Sequence, residues 1–186
     1  MKKILTPNFL FITGTIVLAA LMRLIPHWPN FTPIAAIALF GGSMFKKKLS
    51  AFIIPIAALF LSDLIIGFHS SMYAVYFSFA ITVIIGIKLG QNIKIFNIIA
   101  ASIMSSILFF IITNFAAWIG NPLYPDTFAG LIQSYVAGLA FFNDGNYGIS
   151  MFFNELIGGL FFNTILFGAY YIAKFHFPSL VKVNNI

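Results

Sequence analysis

The sequence predicts an all-helical membrane protein, a bundle of six transmembrane helices with both termini on the cytoplasmic side. Three observations predict it. Hydrophobic residues make up 61% of the 186 positions and charged residues only 8%, against about 25% charged in a soluble domain, so the solvent for most of the surface is lipid. Apolar runs of about 17–25 residues, the length that crosses a bilayer as helix, recur along the chain. Lysines fall at alternate junctions between these runs, as the positive-inside rule requires.

The first run covers 8–25 and is stopped by Pro26 and Pro29. Lys2 and Lys3 ahead of it resemble a secretory leader. The run exceeds the about 7–15 residues of a leader's apolar region, carries Arg23 and lacks a small-x-small cleavage site, so a retained helix is expected. The second run, 33–45, opens on Pro33, a residue suited to a first helical turn; it is short and rich in Ala and Gly. Further helices are expected over 49–67, 72–90, 95–118 and 150–173. The stretch between the last two is too long for a bare connector, and its segment 127–142 is apolar yet short, which suits a helix that dips into the membrane or caps the bundle. No repeat or linker divides the chain, so 1–186 reads as a single transmembrane domain.

With the N-terminus inside, Lys2, Lys3, Lys46, Lys47, Lys48, Lys88, Lys94, Lys174 and Lys182 all become cytoplasmic, nine of the ten basic residues. The net charge of +6 is then a topology signal, reinforced by anionic lipid headgroups. No basic patch is left for nucleic acid. The four acids, Asp63, Asp126, Asp144 and Glu155, all fall toward the outer face, as do Trp28 and Trp118. A multi-pass protein of the bacterial inner membrane is expected.

Three ionisable residues lie inside expected spans: Arg23, Asp63 and Glu155. A charge at the bilayer centre costs about 2.5–3.5 kcal/mol or more, so such groups turn toward a bundle interior or cavity. One reading has Arg23 snorkel and pair with Asp63 to fix packing; the other has these charges meet a bound solute. Around them stand the Pro-rich connector 26–33 with His27, Trp28 and Asn30, then His69 at a helix end, Asn114 after Thr113, and Asn154 beside Glu155. Trp118 and Tyr135 add stacking surfaces. The small residues Gly14, Ala19, Ala20, Ala35, Ala36, Ala38, Gly41, Gly42, Gly158 and Gly159 permit close helix approach, against one another or against a partner subunit.

Several chemistries find no support. There is no Cys, no HExxH, no GxSxG and no Walker loop, and the three His residues are scattered. No cofactor, metal site or catalytic residue is expected.

Several blocks resemble a family of small bacterial membrane proteins described as S components of energy-coupling-factor (ECF) transporters. They are Arg23-Leu-Ile-Pro26-His27-x-Pro29-Asn30-Phe31-Thr32-Pro33, then Leu39-Phe40-Gly41-Gly42, Leu61-Ser62-Asp63 and Gly67-Phe68-His69. Thr113-Asn114-Phe115 before Trp118, Tyr124-Pro125, and Gly130-Leu131 with Tyr135 complete the set. The resemblance spans residues 14–170 and implies a six-helix subunit that binds a vitamin-like solute from outside and works with a transmembrane coupling subunit and ATPase subunits. The Ala-x-x-x-Ala signature of such proteins is not cleanly present in the first helix. The N-terminal Met-His of the metal-transporting members is replaced by Met-Lys-Lys. In the solute-binding reading Arg23, Asp63 and Glu155 supply charge, Asn114 and Asn154 hydrogen bonds, and Trp28, Trp118 and Tyr135 stacking or a lid, with His27, Asn30 and His69 as further substrate-binding candidates. A membrane enzyme with an outer-face acid, or a purely structural membrane subunit, are the alternative readings.

Overall fold

The computed structural model describes residues 6–68, 70–90, 92–140 and 150–181. These residues are all-helical, with no strand among them. The helices are α1 (Pro7–Leu21), α2 (Ile34–Met44), α3 (Lys48–Ile66), α4 (Met72–Leu89), α5 (Ile95–Trp118), α6 (Phe128–Ala140), α7 (Met151–His176) and the short α8 (Pro178–Val181). A 3₁₀ turn, Met22–Leu24, prolongs α1. Local sequence sets several of the ends. Thr6 caps α1, its Oγ1 accepting from Phe9 N at 3.1 Å, with Pro7 in the first turn where a missing N–H costs nothing. Ser150 caps α7 in the same way at 3.2 Å. Gly67, at φ 104°, takes α3 out through a left-handed conformation that a side chain would oppose.

Five helices are long and apolar enough to cross a membrane: Pro7–Leu24, α3, α4, α5 and α7, at 18 to 26 residues. Their outward faces carry exposed Leu18, Ile65, Phe77 and Phe96, a surface suited to lipid rather than water. The second expected span is different. Helix α2 has 11 residues, about 16 Å of rise, half the roughly 30 Å hydrocarbon core. It begins after Pro33 and ends just before Lys46–Lys48, which turn the chain into α3.

What α2 lacks in length it recovers in burial. It packs against α1, α3, α4, α5 and α7, and Ala36, Ala38, Leu39 and Phe40 are fully enclosed. Its small residues serve these internal contacts. A Cβ on Gly42 would lie 2.4 Å from Val83 O, and one on Gly86 of α4 would lie 2.4 Å from Leu39 O, so the two backbones touch at this crossing. A Cβ on Gly41 would sit 2.4 Å from Pro55 Cγ, so the glycine leaves room for the proline ring carried inside α3. Phe40 meets Phe167 edge-on, with ring centroids 5.3 Å apart.

The bundle has two unlike ends. Ser43 at the end of α2 abuts Gly90 after α4, and Tyr171 on α7 donates to Ile93 O ahead of α5 at 3.1 Å. The described lysines (Lys46, Lys47, Lys48, Lys88, Lys94 and Lys174) therefore gather at one end. The opposite end holds the connector 25–33, the last turn of α3, the C-terminal part of α5, helix α6 and the start of α7.

Candidate functional site

Because α2 is about 12 Å shorter than α3, eight residues at 1.5 Å each, it leaves a hollow at the end away from the lysines. The connector 25–33 turns down into this space. Asn30 sits there at φ 61°, a left-handed conformation that asparagine tolerates better than most residues, held between turns in which Phe31 N donates to Trp28 O and Thr32 N to Asn30 O, both at 2.9 Å. Asn154 of α7 clamps the connector by donating to Pro29 O at 3.1 Å. Gly158 lets Phe31 come close, a Cβ there being 3.2 Å from its Cα.

The hollow that remains has a volume of about 360 Å³. Every element at this end contributes to its wall: Arg23, Asn30 and Thr32 from the first connection, Asp63 from α3, Ser71 and Val75 at the start of α4, Phe109 to Ala117 from α5, Gly138 from α6, and Met151, Phe152 and Glu155 from α7. At about a turn inside the helix ends, polar groups in lipid have to be satisfied by protein or by a water-filled cavity.

Two charged groups in the wall satisfy each other. Arg23 Nη2 lies 2.8 Å from Asp63 Oδ1, with side chains 10% and 6% exposed. Asp63 Oδ2 accepts from the Tyr76 hydroxyl at 2.8 Å. Arg23 Nη1 donates to Ser62 Oγ and to Leu59 O. This network ties the end of α1 to α3 and α4. Glu155 stands apart. It is 7% exposed and its Oε2 is enclosed without a hydrogen-bond partner among the described residues. The nearby Ser106 hydroxyl on α5 is also unpartnered. Asn114 donates to Phe110 O at 2.9 Å, and its amide occupies space left by Gly138, where a Cβ would lie 2.2 Å from Oδ1.

Of the candidate residues, the structure brings together Arg23, Asn30, Asp63, Asn114 and Glu155 in one wall. Asn154 acts behind the wall, on the connector. His27, Trp28, Trp118 and Tyr135 do not line the cavity. His27 faces solvent, its Nδ1 2.6 Å from Ile25 O. Trp28 packs edge-on against Phe31 at 5.7 Å and is half exposed. Trp118 donates to Pro125 O at 3.0 Å, closing the α5–α6 turn. Tyr135 donates to Ile111 O at 2.9 Å and stacks on Phe110, fastening α6 to α5. His69 lies outside the described residues, as do positions 141 and 142 at the end of the expected interfacial helix. Sequence reasoning missed Thr32, Tyr76, Phe109, Phe110 and Phe152. Thr32 stood in the polar connector as a visible signal; the aromatics looked like lipid-facing residues until α4, α5 and α7 were set in register. Among the described residues no His, Cys, Asp and Glu cluster could hold a metal.

A helical, multi-pass membrane protein with a polar-lined hollow at one end is the class these features define. Within that class the chain belongs to a family of unknown function, DUF6580, whose model matches residues 3–180. No curated protein and no solved structure gives a significant match.

Proposed function

We propose that the chain is the solute-binding membrane subunit, an S component, of an energy-coupling-factor type importer for a vitamin or similar micronutrient. In this reading α2 counts as a short sixth crossing segment in an ECF-like bundle, both termini and the lysine end face the cytoplasm, and the cavity opens to the outer face of a bacterial inner membrane. The observation that carries the reading is the cavity. Its volume of about 360 Å³ falls in the range of small-molecule sites, about 300–1,000 Å³, and it gathers ionisable groups within membrane helices, where they mark solute pathways by default. The resembling sequence blocks support it further, because Arg23, Asn30, Thr32, Asp63, Thr113 and Asn114 from those blocks line the hollow. The chain carries no Walker loop, so ATP hydrolysis belongs to partner subunits reached through a coupling subunit. The role is binding, with no catalytic residue and no cofactor assigned.

The test is retention of a solute. Protein in phosphatidylcholine nanodiscs is equilibrated with a deproteinised bacterial extract, washed, and its bound small molecules identified by mass spectrometry against empty discs. One compound retained near stoichiometrically is expected, with an ATPase module recovered when the protein is purified gently from its own membrane. No compound above the empty-disc level sinks the reading. The membrane-enzyme alternative draws on the unpartnered Glu155; it predicts that the compound leaves chemically altered and that Glu155→Gln abolishes the change.

A further inference from the structure

We infer that the solute of this cavity carries a positive charge, a protonated amine or similar cationic nitrogen on an apolar or aromatic body, with Glu155 as its counter-ion. The inference rests on the solute-binding reading and adds the charge of the occupant. It follows from which wall groups are already engaged. Arg23 and Asp63 cancel each other at 2.8 Å. The second Asp63 oxygen is taken by Tyr76, and Arg23 Nη1 is engaged by Ser62 and Leu59 O, while its Nε is enclosed without a partner among the described residues. The remaining formal charge in the wall is the Glu155 carboxylate, more than nine-tenths buried, with no cation beside it and its Oε2 without a partner among the described residues.

A carboxylate withdrawn from water costs several kcal/mol unless a cation or hydrogen bonds compensate it. A cationic solute supplies that compensation on entering. An anion would meet repulsion from Glu155 at low dielectric, and the charge of the one guanidinium in the wall is already neutralised by Asp63. The described lysines, which would attract anions, stand at the other end of the bundle. The rest of the wall agrees. Phe109, Phe110 and Phe152 present aromatic surface, which attracts cations through the ring quadrupole. The Asn30 and Asn114 amides carry carbonyl oxygens that can accept from N–H groups.

Three compounds of nearly one shape separate charge from fit: tryptamine as the cation, tryptophol as the neutral form and indole-3-acetate as the anion. Their binding to the protein in phosphatidylcholine nanodiscs is measured by titration calorimetry, with empty discs subtracted. Tryptamine is expected to bind tighter than either of the others by on the order of tenfold or more, the effect of a buried charge pair. Glu155→Gln should erase that preference and Glu155→Asp should keep it, with both variants eluting as the wild type does. If Glu155→Gln aggregates, the wild-type ranking of the three compounds still decides. A neutral or anionic compound binding as well as tryptamine, or unchanged tryptamine affinity in folded Glu155→Gln, overturns the cation assignment and leaves the solute site standing. Should none of the three bind, the charge of the compound retained from the bacterial extract decides: a cation upholds the inference, while a neutral or anionic compound overturns it. Retention of nothing from the extract removes the proposed function together with the inference.

Discussion

At the scale of single residues, the Arg23–Asp63–Tyr76 network is where stability and site geometry meet. Replacing Arg23 by Ala strands the Asp63 carboxylate in a setting where it is 6% exposed, and breaking a buried pair in this way costs about 3–5 kcal/mol. Thermal unfolding of the purified protein should show that loss. Replacing both partners by apolar residues, Arg23→Met with Asp63→Leu, should recover most of it, since a buried pair contributes little net stability over a packed apolar equivalent. Tyr76→Phe should cost about 1.5–3 kcal/mol, a hydrogen bond to a charged group. Gly138→Ala asks a different question. Its Cβ would intrude on the tip of Asn114 at 2.2 Å, and a flexible amide can swing away at small cost. Stability should therefore change by no more than about 0.5 kcal/mol, while affinity for the retained solute falls because the amide has left the wall.

At the scale of helices, the crossing of α2 and α4 brings two backbones into direct contact. Gly86→Ala places a Cβ 2.4 Å from Leu39 O and 3.0 Å from Gly42 Cα, and neither backbone atom can rotate away. The helices must part, with a loss of about 1–3 kcal/mol or more, visible as a lower melting temperature. Gly14→Ala is the control, because nothing lies within 4 Å of its Cβ; it should be neutral or stabilise by about 0.5–1 kcal/mol through helix propensity. This contact also shows what could be read in advance. The long apolar runs stated the helices and their approximate ends, since length and hydropathy are local properties. The Ala and Gly content of residues 35–42 signalled close approach. Which helix approached did not follow, because membrane helices are apolar all round and lack the period that tells a soluble helix its inward face. For the same reason Tyr76, Phe110 and Ser106 could not be told from lipid-facing or back-bonded residues, whereas Arg23, Asp63 and Glu155 stood out by their cost in lipid.

At the scale of the whole molecule, the separation of lysines from the cavity invites a direct test of orientation. The chain has no Cys, so single reporters give unambiguous labelling. Lys47→Cys, at the exposed lysine end, should react with a membrane-impermeant maleimide after the cells are opened. Leu123→Cys, at a position 79% exposed beyond α5, should react in intact cells. The reverse pattern would place the cavity mouth on the cytoplasmic side and end the importer reading, whatever the cavity binds.

The half-length α2 also bears on how the protein is made. A segment about 16 Å long cannot bridge the bilayer by itself, and the connector before it exposes peptide groups that hydrocarbon leaves unsatisfied. Released into lipid alone, the pair has no stable resting place. It has to wait at the insertion machinery, or at the membrane surface, until α3, α4 and α7 arrive to wrap it. The middle of this bundle is therefore the last part to settle, and a nascent chain ending before α7 should remain sensitive to protease within residues 25–44.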